Sequence, residues 1–165
     1  KTNDESKTTR STLQSSLKCH QSQQQQILIT DVSYSNSTIF NAQLMKQFKS
    51  LSPPSFTSLK MLYSMSRHGI SSHEFHKRCD GHANTVIVVK TGKDAVFGGY
   101  SDVAWSSESG QKASKETFLF SLTDGKGRKA VRFELREGFE QQALFHHGKN
   151  CGFGADKANK SDLFI

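Results

Sequence analysis

The sequence predicts an α+β fold with antiparallel strands. Beyond Gly81, short apolar runs of strand length follow one another: "TVIVV" (85–89), "AVFGGYSDVAW" (95–105), "TFLFSL" (117–122), "AVRFEL" (130–135), "QALFHH" (142–147) and "DLFI" (162–165). The stretches between them lack the helical connections that a parallel sheet needs. Ahead of them, two segments space their apolar residues at helical intervals, which places helices outside the sheet.

The composition bounds what this domain can be. A chain of 165 residues is the size of one domain with a real core. Only 34% of residues are hydrophobic, yet twelve are Phe, so the apolar residues are concentrated in part of the chain. Residues 1–36 are the polar part, rich in Ser, Thr, Gln, Asn and Lys and including "QSQQQQ" (21–26). They hold too little apolar surface to offset the entropy of ordering and read as a linker or extended segment. Within them Ile27-Leu28-Ile29 is a short apolar patch that docks as a strand or continues a helix. A first residue of Lys, and a last strand that ends with the chain, suggest a piece of something longer, with a domain over 37–165 truncated at its carboxyl end.

The net charge of +7 is diffuse, with six basic against three acidic residues in 1–58 and sixteen against twelve beyond. Such a surplus favours acidic partners in general and identifies none. Cys19, Cys79 and Cys151 are odd in number and irregularly spaced, unlike a disulfide framework or a zinc pair, which suggests a reducing, cytoplasmic setting. Neither a secretion signal nor a membrane span is visible.

In chain order, "STIFNAQLMKQFKSL" sets Phe40, Leu44, Phe48 and Leu51 on one helical face, with Ser37 placed to cap. Pro53-Pro54 ends it. Leu59 to Met65 reads as a strand or a short buried segment. The clearest hairpin is "TFLFSL-TDGKGRK-AVRFEL", where Val131, Phe133 and Leu135 alternate with Arg132, Glu134 and Arg136. The apolar set is expected to be buried, with Phe118 and Phe133 in the core, and the charged set to be a solvated face rather than a nucleic-acid strip, since Glu134 interrupts it. Gly98-Gly99 within a strand marks a bulge or close backbone packing.

"SRHGISSHEFHKRCDG" (66–81) holds most of the chemistry. Ser71 to Glu74 matches a capping box, and Gly81 is placed to close the helix in the left-handed conformation. At about 100° per residue, Phe75 and Cys79 share one side, while His73, His76 and Asp80 group on the other, toward water. Thiol and imidazoles therefore point apart, and a buried thiol stays protonated. His73, His76 and Asp80 could converge on an ion, or Asp80 could simply meet Lys77 or His76 at the helix end. Neither HExxH, GxSxG nor a phosphate-binding glycine loop occurs, "GFGADK" (152–157) and "TGKD" (91–94) included. No catalytic, cofactor or metal residues are expected, and the chain is not expected to be an enzyme.

An ordered series of motifs resembles the TLDc domain of oxidation-resistance proteins. It runs from "LYSMSRHG" through "FHKRCD", an aliphatic strand, "FGGY" followed by a Trp, and "FLFSL", to a closing "FG" and "DLFI", over about residues 59–165. The residues carrying it are Ser66, Arg67, Gly69, Phe75, His76, Cys79, Asp80, Phe97, Gly98, Gly99, Trp105, Phe118, Phe120, Phe153, Gly154 and Asp162. The resemblance implies a two-sheet antiparallel β-sandwich flanked by helices, and a link to oxidative-stress protection. It also implies a protein partner, with the vacuolar-type proton-pumping ATPase leading, and a cytoplasmic place reaching the cytosolic face of an organelle. It carries no agreed active site, and no specific nucleic acid or membrane insertion. His68 stands where the family has Asp, so that residue's contact does not carry over. The alternative reading is an architectural module of another large cytoplasmic or cytoskeletal assembly.

Overall fold

The computed structural model of the chain describes residues 37–53, 56, 58–149, 151–154 and 161–164. The polar stretch 1–36, with its Ile27-Leu28-Ile29 patch, lies outside them. All but residues 58–60 of those described belong to one unit, formed by residues 36–56 and 61–165.

Among the described residues, two antiparallel sheets of four strands each make up its β-structure. The first has the order β1-β2-β4-β5, formed by β1 (Thr85–Lys90), β2 (Ala95–Ser101), β4 (Phe118–Asp124) and β5 (Val131–Glu134). The second has the order β3-β6-β7-β8, formed by β3 (Gly110–Lys112), β6 (Leu144–His146), β7 (Gly152–Phe153) and β8 (Leu163–Phe164). With three α-helices among the described residues, α1 (Ala42–Leu51), α2 (Met65–His68) and α3 (Ser72–Cys79), this is an α+β, sandwich-like fold. All six apolar runs contribute to it. Strands β3 and β7 leave no signal in the sequence, because three and two residues are too few for alternation to show.

The sheets meet where β2 has no side chains. The ring of Phe153 on β7 lies over Gly99, and a Cβ there would come within 2.5 Å of it. On the opposite face a Cβ at Gly98 would collide with the Ile87 carbonyl and press on the Phe120 ring. The pair therefore permits close packing on both faces of one strand, and the register also shifts between Val96 and Phe97.

The registers divide the first sheet into two faces. Ile87, Gly99, Leu119 and Phe133 share a row, and they face the second sheet. Gly98, Phe120 and Arg132 share the next row, facing α1. Phe48 of α1, fully buried, packs against Phe120 with ring centroids 5.1 Å apart. The helix starts later than expected. Its cap is Asn41, whose Oδ1 accepts the Leu44 amide, while Ser37 bonds the amides of Ile39 and Phe40 in a turn ahead of it. The Leu59 to Met65 segment also differs: 61–64 is irregular, and Met65 opens the single turn of α2.

The hairpin follows the expectation only in part: Leu135 packs against the core cluster and Glu134 and Arg136 are exposed, but Val131, Phe133 and Arg132 are placed otherwise. Val131 and Phe133 are 46% and 54% exposed, and Phe133 borders an apolar cleft of about 390 Å³ lined also by Phe97, Leu119 and Leu163. Arg132, read as solvated, has a side chain only 24% exposed. Its guanidinium lies 3.8 Å from the centroid of Phe118 and donates to the Leu51 carbonyl at the end of α1. Alternation shows that a strand has two unlike faces, but not which one a helix covers. Here α1 covers the charged one, and Arg132 spans the gap with its aliphatic stem.

Phe118→Ala should therefore cost about 3–5 kcal/mol, whereas Phe133→Ala should change stability by less than about 1 kcal/mol. Denaturant melts of the two variants check this, and equal losses would contradict the assignment of the faces.

Candidate functional site

The chemistry-bearing residues converge at the carboxyl end of α3. Phe75 and Cys79 are buried, as their spacing requires, and His73 is exposed. The expectation that His76 faces water is wrong: it is only 6% exposed. On the helical wheel His76 lies about 60° from Cys79, and the structure over α3 is wider than the apolar stripe. The loop after β6 reaches across it. His76 Nε2 donates to the His147 carbonyl at 2.9 Å, and Nδ1 meets Asp80 Oδ1 at 2.7 Å. A carbonyl only accepts, so Nε2 carries a proton. The other carboxylate oxygen, Asp80 Oδ2, accepts from Ser107 Oγ at 2.7 Å. Burial alone would raise the Asp80 pKa, but the bonds from His76 and Ser107 outweigh it and hold the carboxyl below its ordinary value.

The capping box does not form. Ser71 is the N-cap residue without a side-chain bond, and Glu74 instead turns outward to Arg78 at 3.3 Å and Lys77 at 3.9 Å. Gly81 does take the left-handed conformation, with φ of 78°, and its amide donates to the Trp105 carbonyl at 2.9 Å. Asp80 and Trp105 thus form a parallel bridge outside the sheets. Trp105 is 1% exposed. Its indole Nε1 donates to Thr85 Oγ1 of β1, and its ring contacts Phe75, Phe153 and His146 at centroid distances of 5.9, 5.7 and 4.9 Å.

The remaining motif residues take up local positions. His68 accepts the Ser64 amide through Nδ1 at 3.0 Å, and so makes a capping contact across α2. Ser66 Oγ lies 2.9 Å from Ser64 Oγ, and Arg67 occupies the same turn. Gly69 follows with φ of 84°, its carbonyl held by the Tyr63 hydroxyl at 2.7 Å. Gly154 has φ of 67°, and a side chain there would meet the carboxylate of Asp162, whose amide donates to the Phe153 carbonyl. Phe97 lines the cleft, while Phe118 and Phe120 lie under α1 and Arg132.

Sequence reasoning missed His146. It is fully buried against Trp105, Nε2 has no hydrogen-bond partner among the described residues, and burial, then Lys112, lowers its pKa to about 4. The signal was present: alternation in "LFH" puts His146 on the same face as Leu144, which is also buried. The thiols move the other way. Burial, with a further push from Asp80, raises Cys79 to about 11; burial, with further pushes from Cys79 and Asp80, raises Cys151 to about 12.

Ser107, Asp80 and His76 superficially suggest a nucleophile with its base, but the order is wrong. Asp80 sits between the other two, and the far imidazole nitrogen is bonded to a backbone carbonyl, so neither ring nitrogen faces the hydroxyl. For a metal, His73 is not gathered with the pair. Among the described residues no three His, Cys, Asp or Glu side chains are placed to hold an ion.

These features define an α+β domain of two antiparallel sheets, whose signature motif is folded into a buried polar joint beside Trp105. The chain belongs to the TLDc family, whose TLDc domain model matches residues 33–165. It is 28% identical to Oxidation resistance protein 1 of Candida glabrata over 97 residues, 54% of this chain and 35% of that protein. It is 35% identical over 71 residues to the GTPase-activating protein skywalker of Drosophila melanogaster, 38% of this chain and 12% of that protein. With TBC1 domain family member 24 of Xenopus tropicalis it shares 35% over 68 residues, again 38% and 12%. The chain thus spans only a minor part of the length of these relatives. No helix among the described residues is long and apolar enough to cross a membrane.

The buried imidazole gives a pH prediction. His146 titrates near 6.5 when unfolded and near 4 when folded, so between these values the unfolded chain binds more protons. Stability should be full above about 6.5 and fall by roughly 3 kcal/mol as the pH drops to 4. Asp80, whose carboxyl is held low, adds a loss in the same direction below its unfolded value of 3.8. Melts across this range check the slope, and His146→Phe, which keeps a ring on Trp105, should flatten it between 6.5 and 4.

Proposed function

We propose that this chain is a non-catalytic, protein-binding domain of TLDc type that acts in the cytoplasm through its surface. The observation carrying this reading is the fate of the central motif. His76 has both nitrogens engaged, Asp80 both oxygens, and the two described thiols are buried and held protonated. A group that must break a structural bond before it meets a substrate is poorly placed to turn over.

For the partner we propose the vacuolar-type proton-pumping ATPase, which the family resemblance suggests. The link to oxidative stress then runs through regulation of that machine. The relative named for oxidation resistance is consistent with this reading. The polar residues 1–36 act as a linker before the domain. Affinity capture from native extract should recover ATPase subunits. Capture of cytoskeletal or other scaffold components without them would favour an architectural module.

A further inference from the structure

We propose that His146 is a proton-operated latch, and that acid releases the strap it anchors from the end of α3. The strap is the end of β6, its edge partner β3 and the loop 147–149. This device stands whether or not the domain binds a partner. The strap has few other fastenings. Strand β3 is the outermost of its sheet, three residues long, and pairs only with β6. The pairing of β6 with β7 ends at Phe145, so His146 faces Gly110 and has no strand partner on its other side among the described residues. Beyond it the His147 carbonyl accepts from His76, and Ser107 reaches Asp80. A segment held by so few bonds opens at a lower free energy than the whole domain.

The two histidines of this joint are wired in opposite ways. Both nitrogens of His76 face acceptors, a carbonyl and a carboxylate, so a second ring proton breaks no bond there. His146 is fully buried, its ring 4.9 Å from that of Trp105. Its Nδ1 reaches the Ser106 hydroxyl at 3.4 Å, and its Nε2 has no partner among the described residues. An imidazolium carries two N–H donors, and here one of them would be buried without an acceptor.

The groups around the ring add to this. Lys112 of β3, 3.9 Å from Glu108, and His76 of α3 oppose a charge on His146. Asp80 favours one, but its two oxygens already accept from His76 and Ser107. The indole face attracts a cation, yet burial is the largest influence and, with Lys112, brings the ring down to about 4. In the released strap the ring returns to its ordinary 6.5, so the released state gains about twentyfold over the closed one between about pH 7 and pH 5.

Hydrogen exchange of the unaltered protein, corrected for the intrinsic rate at each pH, is the test. The amides that bond β3 to β6 should lose about twentyfold in protection between about pH 7 and pH 5. Their exchange should barely respond to low denaturant, because local release exposes little surface, whereas the amides of β2 and β4 should respond steeply. In His146→Phe the strap should lose its dependence on pH. Protection that does not fall, a fall that persists in His146→Phe, or strap amides that follow β2 and β4 in rate and denaturant response would overturn the proposal. Should His146→Phe not fold, NMR titration of the His146 ring in the unaltered protein takes its place. The ring should stay neutral in the folded protein down to near its low value, and a folded ring already charged at about pH 6 would overturn the proposal.

Discussion

Trp105 is the contact through which the parts of this domain are joined. Its indole N–H donates to Thr85 in the first sheet, its ring lies against His146 and Phe153 in the second, and its backbone bonds the end of α3 through Gly81. A buried Trp must find an acceptor for its one donor, so Thr85 is tied to this position as firmly as the apolar neighbours are. One large ring thereby sets the spacing of two sheets and the end of a helix. Gly99 completes the arrangement, because only a residue without a side chain lets Phe153 come down beside the indole.

Reactive side chains beside such a joint have structural partners. His76 fastens α3 to the loop after β6, Asp80 ties the same helix end to Ser107, and Cys79 and Cys151 fill the apolar cluster around Trp105. A buried polar network of this kind is costly when one member is lost, since the remaining groups stay desolvated without partners. The signature motif of the chain therefore describes a joint between secondary-structure elements.

Much of this was legible in the sequence, with limits that have physical causes. Period-two and period-3.6 patterns located the principal strands and two helices, and the glycine pair announced close packing before any neighbour was known. Coverage was harder to see. The alternation of Val131, Arg132, Phe133 and Glu134 is symmetric between two assignments, and only the end of α1, arriving from 81 residues earlier, decides that Arg132 is the covered one. His76 was misplaced for the same reason, because its cover comes from a loop 71 residues away. Short strands such as β3 and β7 owe their form to partners, and their own residues carry no pattern long enough to read.

The account turns on whether the cluster around Trp105 stays closed in the native protein. The direct measurement is the alkylation rate of Cys79 and Cys151 under native conditions, with each thiol resolved by mass spectrometry. Both should react far more slowly than a free thiol, and speed up together as denaturant opens the cluster. A native-state rate close to that of a free thiol, at either residue, would contradict the account and reopen the motif as a reaction centre.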